Sequence, residues 1–155
     1  MEGKTVDQSR AIMLLPMKPP DANTAGNVHG GVIMQRIDEV GTIVAMRHSQ
    51  RIVVTASVDK IDFIKPVFIG DVVTFKASLN LVGRTSMEVG VRVESENPIT
   101  GVVRHNASAF LTYVALDKSG TPTEVPPLIL ETDEDRKRNK QAQERRELRL
   151  QERTR

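Results

Sequence analysis

Apolar and polar positions alternate cleanly in two runs. Val73, Phe75, Ala77, Leu79 and Leu81 interleave with Val72, Thr74, Lys76, Ser78 and Asn80. Met87, Val89, Val91 and Val93 interleave with Ser86, Glu88, Gly90, Arg92 and Glu94. A period of two puts each set on its own face of a pleated strand, so both runs predict strands with one buried face. Val82-Gly83-Arg84 lies between them at hairpin spacing. Asn97-Pro98-Ile99-Thr100-Gly101 predicts the next turn, leading into a long strand over Val103–Leu116. Upstream, Arg51–Phe63 is rich in Val, Ile and Thr and reads as another strand, closed by Lys65-Pro66 and Gly70-Asp71. Arg10–Leu15 predicts a short first strand.

The period changes between Asn23 and Met46, NTAGNVHGGVIMQRIDEVGTIVAM. After a glycine-rich turn, Ile33, Ile37, Val40 and Val44 recur at helical spacing and form a stripe for the sheet, while Gln35, Arg36 and Glu39 point to water. The predicted order is strand, loop, helix, then four strands joined by tight turns. The class is α+β: an antiparallel five-stranded sheet wrapped around one long central helix, the hotdog arrangement.

Asp38 breaks the pattern. It shares a helix face with Met34, Gly41, Thr42 and Ala45, a surface of small residues that another backbone can approach. Carboxylates are rarely buried unless paired or functional, and desolvation suits acid–base chemistry. A solvated Asp38, or one paired with Arg36 or Arg47, is the competing reading. Gly26, Gly30 and Gly31 free the backbone before the helix, and unpaired N–H groups at a helix start can receive the charge that develops on a carbonyl oxygen in acyl transfer. Gly31 and Asp38 stand roughly 10 Å apart along the axis. One reacting carbon cannot meet both in a single protomer. A two-fold pairing with antiparallel helices would bring Asp38 of one copy to Gly31 of the other, so chemistry here requires a dimer.

Composition narrows the function. There are four Phe, one Tyr, no Trp and no Cys, which removes disulfides, thiolate metal sites and a cysteine nucleophile. No stretch reaches the length of a membrane span or of a signal-peptide core, so a soluble cytoplasmic protein without membrane insertion is expected. The net charge of +2 belongs to the end of the chain: residues 133–155 carry nine Lys/Arg against six Asp/Glu, leaving the body slightly acidic. That tail, residues 131–155, is predicted to be a solvated, fraying helix capped at Thr132 and Asp133, and with no aromatic interleaving it does not predict nucleic-acid binding. Neither a P-loop nor a G-x-S-x-G elbow is present, and His29, His48 and His105 lack metal-ligand spacing, so no metal is expected. His48 is expected to complement the helix C-terminus with its charge.

Three ordered motifs then carry a family likeness. PPDANTAGNVHGGVIMQRIDEVG, VVTASVDKIDFIKPVFIGD and VGRTSMEVGVRVESE resemble the hotdog-fold acyl-CoA thioesterases, above all the cytosolic brain-type hydrolases and their single-domain bacterial relatives. The likeness covers about Ile12 to Leu130, and residues 1–130 are taken as one domain. It implies hydrolysis of acyl-CoA to fatty acid and CoA, with CoA entering as part of the substrate and no separate cofactor. Asp38 matches the family's helix carboxylate, as general base or nucleophile. Asn23 matches its asparagine partner from the other protomer, with Asn27 the second choice. Gly30 and Gly31 would polarise the thioester carbonyl through their N–H groups. Arg84, Thr85 and Ser86 match the CoA-contacting turn, Lys65 and Arg104 are further cations for its phosphates, and Met34 lies where an acyl chain would run. His29 is expected to be structural. The resemblance implies a homodimer with two complete sites and allows a hexamer built as a trimer of dimers. A non-catalytic acyl-CoA-binding module and a hotdog hydratase or dehydratase are the alternatives.

Overall fold

The computed structural model describes residues 1–154. In chain order the elements are β1 (Lys4–Thr5), α1 (Val6–Ser9), β2 (Ala11–Pro16), α2 (Gly30–Ser49), β3 (Ile52–Phe63), β4 (Val72–Val82), β5 (Ser86–Glu96), β6 (Val103–Leu116), β7 (Leu128–Ile129) and α3 (Asp133–Arg153), with a short 3₁₀ turn at Pro19–Asp21. β1 and β7 form a small parallel pair, and the other five strands form an antiparallel sheet in the order β2-β4-β5-β6-β3. The alternating runs fall where their period places them. Val73, Phe75, Met87, Val89, Val93, Leu111 and Tyr113 line the inner face and are buried. α2 lies across that face, and its stripe of Ile33, Ile37, Val40 and Val44 is fully enclosed. This is the predicted hotdog arrangement.

One connection differs from expectation. β3 and β4 are not joined by a tight turn. β3 pairs with β6 at one edge, and the chain crosses to the opposite side before β4 begins. β3 also carries two register shifts, between Thr55 and Ser57 and between Val58 and Lys60. Strict alternation from Thr55 would turn Ser57 and Asp59 inward. The bulges instead bring Val58 opposite the inner-face Leu111, a common device at sheet edges and beside active sites.

The C-terminal segment also corrects the sequence reading. α3 begins at the predicted Thr132 cap, whose hydroxyl accepts from Asp135 N–H at 3.0 Å, but it is not a solvated, fraying tail. It lies on the outer face of the sheet. Ala142 is buried, Asn139 Nδ2 donates to the Asn80 carbonyl at 2.9 Å, and Arg145 forms a two-pronged pair with the buried Glu88 at 2.7 and 3.2 Å while stacking 3.6 Å over Phe110. Arg149 then reaches the β3 bulge and pairs with Asp59 at 2.6 Å. No helix among the described residues is long and apolar enough to cross a membrane.

Candidate active site

Asp38 sits midway along α2, partly buried on the side facing β3. Its Oδ1 accepts two hydrogen bonds, from Thr55 Oγ1 on β3 at 2.8 Å and from the Tyr113 hydroxyl on β6 at 3.0 Å. Thr55 and Tyr113 are register partners, so neighbouring strands deliver the two donors side by side. The Tyr113 hydroxyl also lies 3.1 Å from the Asp38 carbonyl oxygen. Burial first, then the charge of Asp38 and the bond to it, push the Tyr113 phenol above its ordinary range, so the hydroxyl keeps its proton and acts as a donor. Asp38 is paired with neither arginine: Arg36 binds Glu39 at 3.0 Å, and Arg47 donates to the Arg10 carbonyl. Neither Thr55 nor Tyr113 was found from the sequence. Tyr113 sits 75 residues from Asp38 and alternates like any core residue of β6.

The loop before α2 is a tight return. Asn23 N–H donates to the Asn27 carbonyl at 2.7 Å, and Gly26 takes a positive φ of 86° that suits glycine. The Asn23 Oδ1 is committed to this loop, accepting from the N–H groups of Ala25 at 2.9 Å and Asn27 at 3.1 Å. Its Nδ2 has no partner among the described residues. Asn23 therefore keeps a free donor while its acceptor serves the loop. Asn27 is held in an isolated bridge to Phe68.

The two glycines also separate in role. His29 is the N-cap of α2, and its Nδ1 accepts from Gly31 N–H at 3.1 Å. The expected pair of free glycine donors thus reduces to one, because the Gly31 N–H is taken while that of Gly30 has no partner among the described residues. Gly30 opens onto a cavity of about 180 Å³ lined by Ile33, Phe63, Lys65, Pro66 and Asn106. At the other end of α2, His48 is buried with one ring nitrogen 2.7 Å from the Pro126 carbonyl oxygen. Burial lowers its pKa, so it is a neutral core group and not the charged helix-end partner anticipated.

The remaining residues fall into two groups. Lys65 and Arg104 lie at the Asn23 end of the sheet, with Arg104 stacked 5.4 Å over Phe68 and the Lys65 N–H bonded to the Asn106 carbonyl. Arg84 and Thr85 lie in the β4–β5 turn, and Ser86 opens β5 paired with Val114. From Asn106 to Val114 is roughly 26 Å of strand. The two cation groups of one protomer are therefore at opposite ends of β6. Met34 is 47% exposed on the flank of α2 that carries Asp38. Among the described residues, no group of three or more His, Asp and Glu could hold a metal ion.

A model of the thioesterase superfamily matches residues 25–102, the helix and its flanking strands. An acyl-CoA thioester hydrolase of Bacillus subtilis, named as uncharacterized, is 41% identical over 86% of this chain and 74% of its own length. The chain belongs to the thioesterase superfamily. It is accordingly a thioester hydrolase by family. The cytosolic acyl coenzyme A thioester hydrolase of Rattus norvegicus is 39% identical over 88% of the chain, which spans only 36% of that longer protein. In structure, this thioesterase superposes on an apo-hexameric acyl-CoA thioesterase with a TM-score of 0.95, 38% identity and coverage of 98% and 97% of the two chains. It also matches the Staphylococcus aureus acyl-CoA hydrolase solved with butyryl coenzyme A, coenzyme A and coenzyme A disulfide, at TM-score 0.91, 34% identity and coverage of 97% and 92%. Single alanine variants of an asparagine, an aspartate and a threonine of that hydrolase have also been solved.

Proposed function

We propose that this thioesterase hydrolyses acyl-CoA at sites shared between two protomers, with Asp38 as general base. The observation that carries the reading is Asp38 itself. Among the described residues it is a partly buried carboxylate with no cation, one oxygen held by Thr55 and Tyr113, beside a sheet edge that has no strand partner within the protomer. Along that edge Ile52, Val54, Val58, Phe63 and Ile64 are exposed, and Met34 adds to them from α2. An open edge with this much apolar surface favours pairing with a second copy. In such a dimer the Gly30 N–H and Asn23 Nδ2 of one protomer complete the site of Asp38 in the other. The S. aureus hydrolase supports the residue choice, since the intervals along that chain between its substituted asparagine, aspartate and threonine equal those between Asn23, Asp38 and Thr55.

In the reaction, Asp38 takes a proton from water as the oxygen attacks the thioester carbonyl. The oxyanion is met by the Gly30 N–H at the start of α2, and Asn23 Nδ2 donates to the water or to the intermediate. Collapse breaks the carbon–sulfur bond, and the departing thiolate of CoA recovers the proton from Asp38. Arg84 and its turn from one protomer, with Lys65 and Arg104 from another, supply charge for the CoA phosphates. Two dimer-related sites in a larger assembly fit the hexameric state of the structural relatives, as a trimer of dimers.

The test is thiol release from a panel of short- to long-chain acyl-CoAs by wild type, Asp38→Asn and Asn23→Ala. Turnover lost in both variants with the dimer intact is the expected result. Wild-type inactivity across the panel would overturn the reading, and oxygen-18 from solvent appearing in Asp38 would replace the general base by a covalent anhydride.

A further inference from the structure

The Asp38 carboxylate is held asymmetrically. Both of its protein donors, Thr55 Oγ1 at 2.8 Å and the Tyr113 hydroxyl at 3.0 Å, converge on Oδ1. Oδ2 receives no hydrogen bond among the described residues. Tyr113 is fully buried, and its hydroxyl reaches this point only because position 41 has no side chain: a Cβ on Gly41 would overlap the hydroxyl oxygen and stand 3.0 Å from Cζ. Contacts that close are not accommodated by a ring packed beneath a helix. The one proton of that hydroxyl is shared between Oδ1 and the Asp38 carbonyl oxygen, tying the side chain to its own turn of α2.

A carboxylate with one free torsion beyond Cβ could present either oxygen to substrate. Two donors on one oxygen fix that torsion and spend the lone pairs of Oδ1, so proton acceptance is left to Oδ2. We propose that Tyr113 is a positioning residue for the hydrolysis, that Gly41 is the opening through which it reaches Asp38, and that together they make Oδ2 the working oxygen. The inference rests on Asp38 being the base of the thioesterase reaction and adds the buried device that aims it. Thr55 supplies the second hold from the exposed edge strand, and Tyr113 supplies the buried one.

The experiment is steady-state hydrolysis of one turned-over acyl-CoA by wild type, Tyr113→Phe, Gly41→Ala and the double variant, each with kcat, KM and a melting curve. Loss of one hydrogen bond to a charged group is expected to lower kcat about 10- to 100-fold in Tyr113→Phe. KM and melting temperature stay near wild type, so the loss falls on kcat alone. Gly41→Ala, which displaces the hydroxyl without removing it, gives the same split between kcat and KM at a lower melting temperature, because its Cβ crowds the ring. The double variant is no slower than the slower single variant, since both act through one bond. Wild-type kcat in Tyr113→Phe would overturn the proposal. So would losses that multiply in the double variant, or a loss in Tyr113→Phe matched by a collapse in its melting temperature. Absence of wild-type turnover would instead overturn the thioesterase reading beneath it.

Discussion

Replacing Arg145 by methionine isolates what fastens α3 to the sheet. Arg145 clasps Glu88 through two hydrogen bonds, and Glu88 is 3% exposed. Methionine keeps a long apolar cover over Phe110 and leaves a buried carboxylate without its cation. Breaking a buried pair this way generally costs about 3–5 kcal/mol. Here the loss has a ceiling, because Glu88 can escape by taking a proton. From the ordinary glutamate value of 4.5, neutralisation at pH 7 costs about 3.4 kcal/mol, and at pH 5 about 0.7 kcal/mol. Burial already raises the Glu88 pKa in the wild type, with Arg145 pulling it back. A carboxylate whose folded pKa is raised contributes most stability below its unfolded value and loses it as pH rises, and removing Arg145 enlarges that loss. Urea unfolding at fixed protein concentration should therefore show Arg145→Met destabilised by about 2–3 kcal/mol at pH 7 and by less than about 1 kcal/mol at pH 5. Adding Glu88→Leu should restore most of the stability at pH 7. A deficit independent of pH would refute the reasoning, because it would trace to lost packing and not to a stranded charge.

Two further outcomes concern the ends of the site. The lowered pKa of His48 means that the unfolded chain binds a proton there before the folded one does. Its contribution is thus intact above about pH 6.5 and is lost as pH falls toward the folded value, at up to about 1.4 kcal/mol per unit. His48→Gln, which retains a donor for the Pro126 carbonyl, should flatten the decline in unfolding free energy between pH 6.5 and 5, and an unchanged slope would assign it to other groups. Val58→Lys places a charge on the apolar β3 edge; at about 3 kcal/mol it should raise the dimer Kd about 100-fold and abolish turnover in the dissociated species, measured by sedimentation and thiol release. Full activity in a proven monomer would refute the shared site.

The sequence determined what local periodicity can carry. Alternation located β4 and β5, the turn after them located β6, the helical stripe located α2, and the position of Asp38 off that stripe singled out the carboxylate without any partner in view. Neighbour relations between distant segments were not legible, because period reports which face a residue occupies and not what lies across from it. Tertiary structure alone put β3 at the sheet edge, introduced the bulges beside Thr55, buried His48 and laid α3 on the outer face through Glu88 and Asp59. The capping of Gly31 by His29 and the commitment of the Asn23 Oδ1 to its own loop are short-range, yet they depend on backbone angles that residue types do not fix. Tyr113 shows the division most plainly. Its ring obeys the alternation of β6 and reads as core, while its hydroxyl reaches a carboxylate on α2 only because the fold sets Gly41 above it.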